Sequence, residues 1–319
     1  MDYNLDQTRD SIAQFKTKLK KSSINNYMVC IRRCQELFET DTNHFMMKPN
    51  DVLKKIEYMA PTSRRNFMIA IIAFLESINQ DHTYDHVLLQ YKSMVDDFNK
   101  QYYEEQVKGE LSDRHKKNMV NHDDIKKLLK VLDVDVSHIQ IKHKMNMDIT
   151  SGDRSKLRVW LLFHILTTLP TRLDYSQMKF VNFTQYKKLK KLNQNQGNYL
   201  VKQSNLLYFY FNDYKTDKTY GENIIEIDKP LKKKVNLYLK LNNYINNDNI
   251  MPLSRNAISH ILTTKSNEII GKRVSAQILR KFYVSDKYNQ TKVSQEKDAS
   301  LMAHSVGTQQ LIYNKKLNE

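Results

Sequence analysis

Arg172 in the string LPTRLDYSQM, Lys215 in YKTDK, Arg280 in QILRKFYVS, and His304 with Tyr313 in MAHSVGTQQLIYN stand in that order along a chain of 319 residues. Two guanidiniums, an ammonium, an imidazole and a phenol are side chains suited to attack on a phosphate. A hydroxyl side chain can serve as nucleophile, and fixed cations can hold the charge that builds on phosphoryl oxygens. A guanidinium fork matches phosphate geometry and stays charged. The pair at the end means little alone: with 10 His and 19 Tyr, about 0.6 such pairs are expected by chance, and His82 with Tyr91 repeats the spacing. Each residue also has an ordinary reading. Arg172 and Arg280 could sit in structural ion pairs, Lys215 in a solvated turn, and His304 and Tyr313 among packed side chains.

The composition narrows the field in which such a set would work. Lys and Arg total 51 against 35 Asp and Glu, a formal charge of +16, and the pI is near 9.5. That balance is the footprint of a polyanion binder, with DNA, RNA or an anionic membrane as candidates. The longest apolar stretches, 67–75 and 159–170, fall short of the roughly 20 residues a membrane span needs and read as buried helices. The polar start MDYNLDQTRD carries no secretory signal, which sets the expectation of an intracellular protein. The two cysteines, Cys30 and Cys34, suit neither a disulfide framework nor a zinc site. Six Gly and five Pro are few, which argues for long helices and against a Gly-rich phosphate loop.

The elements that must position the five residues follow from periodicity. Apolar residues at three- and four-residue spacing predict helices near 6–20, 23–39, 50–58, 61–79 and 84–105, a small all-helical first domain. Its polar faces carry Lys16, Lys18, Lys20, Lys21, Arg32, Arg33, Arg64 and Arg65. Between 106 and 120 the periodicity fades and Gly and charge enter, as in an exposed linker. A helix near 121–133, a polar loop and a buried helix over 154–168 come next. The period then changes: 206–212 and 223–227 read as a hairpin around the polar turn DYKTDKTYGE, with 198–202 as a third strand. The stretch 186–198, YKKLKKLNQNQGN, reads as a polar low-complexity loop, and helices resume from Lys229.

The four strings in this order resemble the tyrosine recombinase and phage-type integrase family. There, an Arg follows a helix end, a Lys occupies a β-hairpin, a His-x-x-Arg lies on a later helix, and a Gly-His-Ser string precedes a Tyr by nine residues. The likeness covers about 120–319. PTRLDY is also similar to integrases of virophages and related large DNA transposons. The resemblance implies a mainly α fold with a small antiparallel β-sheet: a helical core-binding domain over 1–108, a linker over 109–120, and an α+β DNA breaking-rejoining domain over 121–319. It implies that Tyr313 attacks phosphorus to form a 3′-phosphotyrosyl bond, and that Arg172 and Arg280 hold the non-bridging oxygens. Lys215, or its neighbour Lys218, protonates the leaving 5′-oxygen, and His304 donates to a phosphate oxygen or orients the site. No metal, ATP or other cofactor enters. The partner implied is double-stranded DNA, bound through Lys20, Lys21, Arg32, Arg33, Arg64 and Arg65, with four protomers on two duplexes and a monomer or dimer when free.

Three positions depart from that pattern. Gln277 stands three before Arg280, where His or Lys is usual. Ala303 replaces Gly before His304. Tyr175 occupies the position of an acid three after the first Arg, with Asp174 one earlier. Two other readings stay open: a monomeric type IB topoisomerase, which shares the chemistry, and a DNA-binding protein whose site is disabled, for which Gln277 is the motive.

Overall fold

The computed structural model describes residues 3–107, 112–287, 292–309 and 312. The chain divides into two compact units, Met1–Lys108 and Gly109–Glu319.

The first unit is helical: α1 (Leu5–Phe15), α2 (Lys21–Leu37), a 3-10 turn over His44–Met47, α3 (Pro49–Lys55), α4 (Pro61–Ile78) and α5 (Asp85–Val107). Asn4 opens α1 with a capping box shared with Gln7, so the first free amides of that helix are satisfied locally. Pro49 and Pro61 begin α3 and α4, where a missing N–H costs nothing. The core is the apolar face of α4, with Phe67, Ile71, Phe74 and Leu75, closed by Ile12, Ile31 and Tyr91. Cys34 is fully buried within it, and burial pushes its thiol up to about 12.

The second unit contains α6 (Asp113–Asn118), α7 (His122–Lys144), α8 (Ser151–Thr168), β1 (Lys179–Asn182), α9 (Phe183–Lys191), β2 (Tyr199–Gln203), β3 (Leu206–Phe211), α10 (Asp217–Tyr220), β4 (Asn223–Glu226), α11 (Lys229–Leu241), α12 (Arg255–Ile270), α13 (Ala276–Lys287), α14 (Lys292–Leu301) and α15 (Val306–Thr308). Its axis is α8, whose residues Val159 to Leu166 are all buried. A helix apolar on every side belongs inside a core, and α7, α11 and α13 surround it. The protein is therefore mainly helical, with one small sheet. Among the described residues no helix is long and apolar enough to cross a membrane.

Four details differ from the sequence reading. The sheet is mixed: β1 pairs parallel with β2, while β2–β3 and β3–β4 are antiparallel, in the order β1-β2-β3-β4. Parallel pairing needs a crossover, and α9 supplies it inside the stretch expected to be a loop. That helix has only a short apolar face, but Tyr186 is buried on Val181, Tyr199, Val201 and Tyr210. The opposite sheet face, with Leu200, Phe209 and Phe211, joins the main core, so both faces are covered. Next, α7 does not stop near 133. Leu132, Val136 and Ile139 carry its buried stripe onward, and Asp133, the last residue of the expected helix, accepts hydrogen bonds from Trp160 Nε1 (2.7 Å) and His164 Nε2 (2.9 Å). Finally, the stretch expected as a linker contains α6, and Val120 at its end is buried in the main core.

Candidate active site

The turn that leaves α8 carries Arg172. Leu169 caps the helix and Pro170, lacking an N–H, cannot continue it. From α13, Arg280 is buried, and its Nε donates to the carbonyl oxygens of Pro170 (3.1 Å) and Thr171 (3.0 Å). One arginine thus holds the backbone that presents the other. Arg172 Nη1 reaches Thr216 Oγ1 and the Ala303 carbonyl, each at 3.4 Å, and Thr216 Oγ1 donates to that same carbonyl at 3.1 Å. The turn bearing Lys215, the turn before His304 and the Arg172 loop therefore meet at one point. Ala303 has φ 51°, the left-handed conformation that Gly adopts without strain, which is the physical reason a Gly suits this place.

His304 is buried beside both guanidiniums. Burial, Arg172 and Arg280 push its imidazole down to about 4, opposed by a backbone hydrogen bond at Met302. The ring is neutral at neutral pH. Because the unfolded chain takes up the proton near 6.5 and the folded chain only near 4, stability is full above about pH 6.5 and is lost as pH falls toward 4. The loss is on the order of 3 kcal/mol for a shift of this size. His304→Gln is expected to flatten that part of the pH profile; urea titrations of both proteins across the window check it, and parallel profiles would contradict it.

Asp174 is buried too, and burial pushes its carboxyl up against the opposing charges of Arg255, Arg172 and Arg280. Arg255 Nη2 pairs with it at 3.2 Å and with Asp213 at 3.6 Å. Tyr175, where an acid was the pattern, is a core residue: its hydroxyl hydrogen-bonds Thr171 Oγ1 at 2.8 Å and its ring packs edge-on against Phe209 and Phe211. Lys215 is exposed in the turn after β3, and Lys218 is exposed on α10. Gln277 lies one turn before Arg280 on α13 and is exposed. Tyr313 lies outside the described residues. Ile312, its neighbour, packs with Val284 and Met302, and Val284 is one turn past Arg280 on α13.

Three contributors escaped the sequence reading: Thr216, Arg255 and Asn198. Asn198 is buried at the start of β2. Its Nδ2 donates to the carbonyls of Asp174 (2.7 Å) and Asp213 (2.9 Å), and its Oδ1 accepts from the amides of Asn212 (2.8 Å) and Asp213 (2.9 Å). This clamp fixes the Arg172 loop against the strand that leads to Lys215. Only the adjacency of Thr216 to Lys215 hinted at a role; nothing in NQNQGN singled out Asn198. Asn198→Ala removes four hydrogen bonds, of which the one to the Asp174 carbonyl is fully buried, and is expected to cost roughly 1–3 kcal/mol, read from the shift of the urea midpoint.

In the first unit, Lys20, Lys21, Arg32 and Arg33 are exposed along α2. Lys21 and Arg32 are three turns apart and share a side of the helix. Arg64 and Arg65 are half-buried against α5, one over the Phe98 ring and the other on Asn99. The chance pair is unconnected with the site: Tyr91 is a core residue donating to the Met46 carbonyl at 3.0 Å, and His82 lies in the turn before α5, not in a helix. Among the described residues, no group of three or more His, Cys, Asp or Glu could hold a metal ion.

No protein-family model matches the chain, and no curated protein matches its sequence. Among solved structures, the chain is similar to the crystal structure of XerA recombinase at 13% identity and a TM-score of 0.40, over 98% of this chain and 94% of that one.

Proposed function

We propose that the chain is a tyrosine-type DNA strand transferase, a site-specific recombinase or integrase acting on double-stranded DNA. The observation that carries the reading is the convergence of Arg172, Arg280 and His304, distant in sequence, around the turn that follows Lys215. A DNA phosphate placed between the guanidiniums would find its non-bridging oxygens held by charge-assisted hydrogen bonds. The Tyr313 oxygen attacks phosphorus while the bond to the 5′-oxygen breaks. That oxygen takes a proton from Lys215, or from Lys218 in the same segment, and the phenol proton passes to solvent water. Gln277 cannot accept it. The 3′-phosphotyrosyl bond keeps the energy of the broken linkage, so rejoining to a new 5′-hydroxyl needs neither metal nor ATP. Recombination between two duplexes calls for four protomers.

The test is an SDS-trapped covalent adduct on nicked duplexes, mapped by proteolysis. An adduct on the peptide containing Tyr313 supports the proposal. DNA binding without any adduct, from a folded chain, would overturn it in favour of a binding protein with a disabled site, the reading that exposed Gln277 in place of a basic residue favours.

A further inference from the structure

From Tyr175 to Asn212 the chain carries six Lys and not one Asp or Glu in 38 residues. Four of the lysines, Lys187, Lys188, Lys190 and Lys191, crowd the end of α9, and all are exposed. Lys190 is held by Glu222 at 2.9 Å. Lys191 follows Lys187 by four residues and Lys188 by three, spacings that bring side chains together on a helix surface, where like charges weaken it. The helix dipole favours a cation in a last turn, but it does not account for so long a stretch without an acid. An external polyanion would remove the repulsion.

The helix is also firmly seated. Beneath it, Tyr186 hydrogen-bonds Glu222 and Asn212. Asn212 in turn is held by Asn198, which grips the Asp174 carbonyl two residues from Arg172. The pairing of Tyr199 with Tyr210 puts the loop after α9 at the same end of the sheet as the Lys215 turn. The lysines, at the end of α9, are thus fixed near the end of the sheet that carries the Lys215 turn.

Resting on the DNA-cleaving reading above, we infer that α9 is a second contact for duplex DNA, at which Lys187, Lys188 and Lys191 bind backbone phosphates beyond the scissile one without reading any base. Such contacts release counterions, and each adds about 0.9 to the slope of log affinity against log salt. The full chain with Lys187, Lys188 and Lys191 all changed to Gln is therefore expected to show a slope smaller by about 2 to 3, with weaker binding at low salt. The same three positions changed to Arg should restore the native slope. A native slope in the Gln variant, or a reduced slope that Arg does not restore, would overturn the role of α9 and leave the proposed function standing. Failure of the native chain itself to bind duplex DNA would remove both.

Discussion

Tyr313→Phe is expected to abolish the covalent protein–DNA adduct while leaving salt-sensitive DNA binding intact. Under the proposed function, losing this phenolic oxygen removes the nucleophile of the phosphotyrosyl bond, whereas the cations proposed to bind DNA, Arg172 and Arg280 at the site and the exposed lysines and arginines elsewhere, are untouched. The change is isosteric apart from the hydroxyl, so packing around Ile312 on Val284 and Met302 is preserved. The measurement is adduct yield on nicked duplex by SDS gel, beside binding at several salt concentrations. An adduct that survives the substitution would place the nucleophile on another residue. His82→Gln and Tyr91→Phe, which alter the chance pair of the same spacing, should leave the adduct yield unchanged.

The second large effect belongs to Arg280. Its Nε holds the carbonyls of Pro170 and Thr171, so it positions Arg172 and, under the proposed function, also offers charge to a phosphate. Arg280→Lys keeps a cation but loses the planar fork and the grip on two carbonyls. Removal of one fixed transition-state donor costs on the order of 3 kcal/mol, or about 10²-fold in cleavage rate. Single-turnover cleavage measures this. Arg280→Gln supplies a readout independent of activity. With one of the two guanidiniums gone, the His304 imidazole should titrate upward from about 4 toward 6.5, followed by NMR of the ring protons. A cleavage rate within a few-fold of native in the Lys variant, together with an unmoved His304 in the Gln variant, would show that the two side chains do not share a site.

Much of the fold was legible along the chain because its causes are local. The stripe Phe67, Ile71, Phe74, Leu75 specifies α4 by spacing alone, and the apolar run 159–166 specifies a buried helix. The β-rich runs around YKTDK specify strands. Errors arose where a few residues depended on distant partners. The stretch after Asp133 looks like a polar loop until Val136 and Ile139 find the main core. The stretch 186–198 looks like a polar loop until Tyr186 finds the outer face of the sheet.

The sequence by itself determined the charge, the helical character, the strands around Lys215 and the order of the reactive residue types, since each is a property of composition or of neighbours a few positions apart. Only the tertiary structure decided that Arg280 grips the backbone beside Arg172 across 109 residues and that Thr216 meets Ala303 across 87. It also decided that Asn198 clamps two loops at once. A hydrogen bond between groups so far apart has no signature in local spacing, because its geometry exists only after the apolar cores have brought α8, β3 and α13 together.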